Sequence, residues 1–461
     1  MKDQRSKNIL ISCAVILVVA CLCLSVLVIA GIGVSLAWPI RLGQGDQIQS
    51  PLPSAEDETF VGEVELPGDL AEQLSGIESQ VVELRGINLQ EAVTHTLISP
   101  DELQEIVVTD FFAEYTDLDA QRDVLVLSAL GLLPENFDLK GLYEALYSEQ
   151  IAGFYDDEIK EIYVVSGSEF GGLEKMTYAH EFTHVLQDQA YRLNEGLGLN
   201  DEACEADSEK CAATQALIEG DATKTELLWF EAHASRQDYL DVVKSINLFE
   251  TPIYDTAPPF LQADLYFPYE KGLAFVEHLF EQGGFGAVDE AYQNLPVSTE
   301  QILHPERYPA DVPQSVSLPD LGNLLGEDWE LFDQNVMGEW YSYLILAKAY
   351  QESHQIPERV AEEAVAGWGG DAYAFYLNEK DQSVTFVMES VWDTEKDADE
   401  FAEAFRDYAD LRWQESDTRI LGYPSWTAEN VSVVFLQEGI RTLWLMAPTE
   451  QVVFTILSEL Q

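Results

Sequence analysis

The sequence predicts an α+β protein: a mainly helical body with a short edge strand, then a small C-terminal domain of order ββαββα. Three observations predict it. Between residues 75 and 370 apolar positions recur mostly at helical spacing, interrupted by one β-branched and aromatic run, Glu161 to Val165. After residue 370 the pattern shifts to short alternating runs bounded by turn residues. The chain also has 461 residues, 47% hydrophobic and 11% aromatic, enough for two or three packed units, and this excludes wholesale disorder.

The elements follow in order. Residues 1–8 form a basic N-terminus, with Lys2, Arg5 and Lys7 opposed only by Asp3. Residues 9–38 contain the uncharged run Ile9 to Ala37, long enough for a bilayer-spanning helix of about 20 residues. The positive flank places the N-terminus in the cytoplasm and the bulk of the chain outside, as a single-pass signal anchor. A cleaved signal peptide has a shorter apolar core. Lipidation at Cys21, after Val18-Val19-Ala20, would strand the apolar sequence that continues beyond it.

Residues 39–74 form an acidic, proline-bearing tether, and 75–150 a helical N-terminal lobe in which Ser99 caps a helix opened by Pro100. Residues 151–369 form the main body, with helices from about Leu173 to Tyr191, from Cys211 to about His233 and from Glu270 to Phe280, and a capping box at Ser298 and Gln301. Residues 370–461 hold strands Ala372 to Leu377 and Val384 to Trp392 and a helix Asp397 to Arg412. A hairpin follows, Val431 to Leu436 and Arg441 to Met446, and then a helix Glu450 to Leu460.

Charge narrows the class of function. Acidic side chains number 83 against 24 Lys plus Arg, a formal net charge of −59. Such a surface repels phosphate backbones and excludes nucleic-acid binding through a basic face. Cys13, Cys21 and Cys23 lie in the apolar run as small fillers. Cys204 and Cys211, seven positions apart in an exported polar stretch, predict a local disulfide. The alternative, a pair of metal ligands, lacks zinc-finger spacing.

The chemistry concentrates at His180-Glu181-Phe182-Thr183-His184. On a helix, i and i+4 lie on one face, close enough for two imidazoles to share one metal, and the intervening Glu can reach a water beside it. Met176, Ala179, Phe182, Val185 and Leu186 supply the apolar positions. A catalytic zinc needs a third protein ligand. The best candidate is Glu219, on a helix of small and apolar residues (Ala216-Leu217-Ile218-Glu219-Gly220-Asp221-Ala222-Thr223), with Asp207, Glu202 and Glu226 as rivals.

His180-Glu181-x-x-His184 followed by the Glu219 helix resembles the gluzincin-type zinc metallopeptidases, over about residues 150 to 230. The resemblance implies a zincin-like body in which His180, His184 and Glu219 bind one Zn²⁺. It also implies that Glu181 serves as general base and then proton shuttle, and that strand Glu161 to Val165 is the edge strand pairing with an extended peptide or protein substrate. The gap from His184 to Glu219 exceeds that of the best-known members. No motif assigns the group that stabilises the oxyanion; Tyr269 and His304 are the candidates, and both also fit structural roles. His95, His233, His278 and His354 are isolated and fit surface or packing positions.

The C-terminal domain offers no catalytic constellation, and Trp392, Phe401, Phe435 and Trp444 fit a core. The expectation is a membrane-anchored, extracytoplasmic zinc metallopeptidase. Two other readings are a catalytically silent binding or envelope-scaffold protein and a zinc hydrolase of non-peptide amides. An intact Glu181 argues against the silent form.

Overall fold

The computed structural model describes residues 68–106, 109, 115–150, 153–156, 159–165, 170–248, 251–414, 419–428 and 430–460. The expected anchor at 9–38, with Cys21, lies outside them, as do the N-terminus and most of the tether. Among the described residues no helix is long and apolar enough to cross a membrane. The single-pass localisation expected from the sequence is corrected to that extent: no described helix supplies a membrane span.

The body begins with α1 (Gly68–Arg85), β1 (Thr94–Ile98), α2 (Pro100–Ile106), α3 (Asp117–Leu130) and α4 (Leu139–Gln150). Ser99 caps α2 as expected, accepting from Glu102 N while Glu102 Oε2 accepts from Ser99 N. A strand inside the supposedly all-helical lobe was not anticipated. β1 pairs in parallel with β3 (Glu161–Val165), and β2 (Gly153–Asp156) pairs antiparallel on the other side, giving the order β1-β3-β2. The run Glu161 to Val165 is therefore the central strand, which corrects its expected place at the edge. Ile162 and Val164, facing the core in alternation, are buried.

Three long helices make the core of the body. They are α5 (Gly172–Tyr191), α7 (Ser208–His233), which follows the short α6 (Asp201–Ala206), and α10 (Pro259–Gly283), which follows α8 (Arg236–Leu248) and α9 (Pro252–Thr256). α7 packs between α5 and α10. It approaches α10 so closely that a Cβ on Gly220 would lie 2.2 Å from Gly272 O, and one on Gly272 would lie 2.0 Å from Ala216 O. The small residues around Glu219 thus serve backbone-to-backbone packing. Cys204 on α6 and Cys211 on α7 are joined by a disulfide, with Cα atoms 5.1 Å apart. The body closes with α11 (Phe285–Gln293), α12 (Thr299–Leu303) and α13 (Gly322–Leu325). Ser298 caps α12.

The C-terminal part contains β4 (Trp329–Asn335), α14 (Gly338–Ala347), α15 (Glu358–Val365), β5 (Trp368–Asn378), β6 (Val384–Trp392), α16 (Glu395–Trp413), β7 (Arg419–Ile420), β8 (Tyr423–Ala428), β9 (Val431–Glu438), β10 (Arg441–Ala447) and α17 (Glu450–Leu460). Its sheet is antiparallel throughout, in the order β4-β5-β6-β10-β9-β8-β7. One face, with Phe375, Phe386, Phe435 and Trp444, packs on Phe401 and Phe405 of α16. The other, with Tyr376, Val387, Val434 and Leu445, packs on Val453, Ile456 and Leu457 of α17. Both faces are covered, so β10 is buried from Thr442 to Met446 without alternation. β4, β7 and β8 extend the expected ββαββα order, and β4 lies before the boundary drawn at 369/370.

Candidate metal centre

α5 brings His180 and His184 to its face against α7, which presents Glu219 to them, and Glu181 lies beside them on α5. His180 Nε2 lies 3.2 Å and His184 Nε2 3.5 Å from Glu219 Oε2. The imidazole ring centroids are 4.8 Å apart. All four side chains are buried, Glu219 completely. Together His180, His184 and Glu219 could hold one metal ion.

The ring nitrogens that face away from Glu219 are held by other groups. His180 Nδ1 lies 2.9 Å from Glu226 Oε2, and His184 Nδ1 lies 2.8 Å from Gln187 Oε1. Glu226, a rival for third ligand, therefore orients a histidine, being seven positions and about two helical turns beyond Glu219. The other rivals are elsewhere: Asp207 caps α7 by accepting from Lys210 N, and Glu202 is exposed on α6.

Glu181 Oε2 accepts from the backbone N–H of Tyr155 at 3.0 Å. The true edge strand beside the helix is therefore β2. Since Tyr155 N–H points to α5, alternation of the antiparallel ladder directs the backbone groups of Gly153 the same way. Tyr155 Oη donates to Asp188 Oδ2 at 2.8 Å, and Lys160 Nζ sits 2.7 Å from the same oxygen, so one turn past His184 the helix is fastened to the β2–β3 hairpin.

Electrostatics separate Glu219 from His184. Burial alone would raise the Glu219 carboxyl, but the adjoining His184 charge and the hydrogen bond of His180 bring it down to about 2. Burial alone would lower His184, and the Glu219 charge outweighs it, leaving the imidazole above its ordinary value.

The donor set suits zinc: two imidazole nitrogens and a carboxylate, with a fourth position left for water. A tetrahedral ion with bonds of about 2.0–2.1 Å holds ligand atoms about 3.3 Å apart, and the observed 3.2 and 3.5 Å bracket that spacing. Glu219 Oε1 and His184 Nε2 are buried without a hydrogen-bond partner, a costly arrangement that a cation would relieve.

The two candidates for oxyanion stabilisation part company. The Tyr269 ring, on α10, lies 6.1 Å from the His180 ring, at the centre. His304 does not join it. Its Nε2 is 2.8 Å from Glu339 Oε1, on the α12 segment whose Thr299 bonds Glu209, ten positions and about 15 Å along α7 from Glu219. Gln187, Asp221 and Arg85, described below, were not singled out from the sequence, where no spacing rule connects them to the histidines.

Residues 330–457 match a family described as a domain of unknown function (DUF8575). That stretch takes in the C-terminal sheet and leaves out His180, His184 and Glu219. No curated protein matches the chain. Among solved structures it is similar, at 17% identity and a TM-score of 0.33, to a Chloroflexus aurantiacus protein described as "a putative hydrolase with a novel fold"; the likeness covers 53% of this chain and 90% of that one.

Proposed function

We propose that the protein is a zinc-dependent hydrolase cleaving peptide bonds. The observation that carries this reading is the convergence of His180 Nε2, His184 Nε2 and Glu219 Oε2 in a buried site with Glu181 beside them on the same helix. Zinc held there would supply a Lewis acid that polarises a carbonyl and makes water a nucleophile near neutral pH. His180, His184 and Glu219 hold it. Glu226 and Gln187 fix the two imidazoles by their Nδ1 atoms.

Glu181 takes the proton from the attacking water and returns it to the leaving amine. Its Oε2, anchored on Tyr155 N–H, keeps the carboxylate at the edge of β2. The outward-facing Gly153 backbone on that edge supports a peptide substrate over a small amide, because an extended main chain can pair there beside Glu181. Tyr269, whose ring stacks beside that of His180, would stabilise negative charge on the substrate oxygen. Casein hydrolysis by the zinc-loaded chain tests the reading: activity that Glu181→Gln abolishes while zinc stays bound supports it, and equal activity in the two chains contradicts it.

A further inference from the structure

A metal-binding imidazole must offer a lone pair to the ion, and the hydrogen bond at its other nitrogen decides whether it does. The Nδ1 of His184 faces Gln187 Oε1 at 2.8 Å. An amide oxygen only accepts, so this contact places the proton on Nδ1 and leaves Nε2 bare. The remaining question is what turns the oxygen of Gln187, rather than its NH2, toward His184.

The answer lies on α7 and beyond. Gln187 Nε2 donates toward Ile218 O at 3.0 Å, Asp221 Oδ2 at 3.0 Å and Tyr292 Oη at 2.9 Å. Tyr292 Oη spends its own proton on the same Asp221 oxygen, at 2.9 Å, so it too can only accept from the amide. Three acceptors therefore hold the NH2 group away from His184.

Asp221 is fully buried, and a buried carboxylate keeps its charge only with a partner. That partner is Arg85, the last residue of α1, 136 positions away, whose Nε donates to Asp221 Oδ1 at 2.7 Å. Arg85 also places Nη2 2.7 Å from Asp289 Oδ1 and lays its guanidinium 4.6 Å over the Phe285 ring. Neither the Arg85 nor the Asp221 side chain has any exposure.

We propose that Arg85 is a positioning residue for the metal ligand His184, acting through Asp221 and the amide of Gln187. On this account α1 is an integral part of the hydrolase, not a segment it could shed. The inference rests on the reading of His180, His184 and Glu219 as zinc ligands.

The test measures zinc affinity in the full chain and in Arg85→Lys, Gln187→Met and the double variant. It adds nitrogen spectra of the metal-free histidines at alkaline pH, where the imidazoles are neutral, with His184 assigned by its loss in His184→Asn. Gln187→Met weakens zinc about 10- to 100-fold. Arg85→Lys keeps a charge but loses the fork that serves two carboxylates, and weakens it about 10-fold. The double variant is no weaker than Gln187→Met alone, because Arg85 acts through that amide. In the wild type His184 carries its proton on Nδ1, and Gln187→Met shifts it toward Nε2.

Additive losses in the double variant, unchanged affinity in Arg85→Lys, or a wild-type His184 protonated on Nε2 would each overturn the proposal. Should Arg85→Lys fail to fold, the pair Arg85→Met with Asp221→Asn, which removes both buried charges, takes its place in the same comparison. A wild-type chain that binds no zinc sinks the proposed function, while the His184 tautomer still decides this inference.

Discussion

The helix pair α5–α7 and the C-terminal sheet fill their interiors in opposite ways. Around Phe386, Phe401, Phe405, Phe435 and Trp444 the sheet closes on packed aromatic rings, with centroids 4.3 to 6.1 Å apart. Between α5 and α7 the buried side chains include His180, His184, Gln187, Glu219, Asp221 and Glu226, while Glu181 and Asp188 are bonded to the β2–β3 hairpin. Burying polar groups costs free energy unless each finds a partner. The sheet spends its burial on stability. The helix pair spends it on a preset arrangement of nitrogens and oxygens, which is where local rules are broken for function. Substitutions should sort accordingly: those in the pair alter metal and catalysis, those in the sheet alter stability.

The largest expected effect is Glu181→Gln, which removes the proton acceptor without touching a ligand. Peptidase rate should fall about 10³-fold or more while bound zinc stays constant. Next comes the sheet. Trp444→Ala should destabilise the chain by about 3–5 kcal/mol, read by denaturant unfolding, with zinc affinity of the folded protein unchanged. A large loss of zinc affinity in that variant would dissolve the contrast between the two regions.

Reducing the Cys204–Cys211 disulfide should cost about 2 kcal/mol, since it frees only a short loop before α7. It sharpens the comparison, for the bond stabilises the approach to the site without entering it.

A pH slope is also expected from the buried Asp123 on α3. Burial pushes its carboxyl up to about 8; the Tyr115 hydroxyl opposes this, and the charges of Asp333 and Asp119 add to it. In the unfolded chain the value is about 4. The folded state thus holds one more proton between about pH 4 and 8, so this group's contribution is complete below pH 4 and declines as pH rises to 8. Thermal midpoints at pH 5 and pH 8 should lie closer together in Asp123→Asn than in the wild type.

What could be read from the sequence follows the range of the interactions. β6 and α17 carry their bounds in local pattern and match Val384 to Trp392 and Glu450 to Leu460. β1 escaped notice because its partner is β3, with Thr94 opposite Glu161, and a five-residue strand among helices has no local mark. The same gap put β3 at the edge of its sheet. At the site, His180, Glu181 and His184 were legible from spacing alone, and Glu219 from the small residues that let α7 approach α10. Glu226 was noticed only as a rival to Glu219, since nothing in sequence tells a carboxylate set between two imidazoles from one at the far nitrogen of His180. Arg85 reaches Asp221 only through the fold. His304 was a candidate for oxyanion stabilisation, and its partner is instead Glu339, 35 positions on.

The most direct test of the central claim is zinc stoichiometry and affinity in the purified chain, compared between wild type and Glu219→Ala. The arrangement of His180, His184 and Glu219 predicts one tightly bound Zn²⁺ per wild-type chain, and in Glu219→Ala a fold retained by circular dichroism with zinc weakened by at least about 100-fold. A folded wild-type chain that binds no zinc, or equal affinity in the two chains, would contradict it.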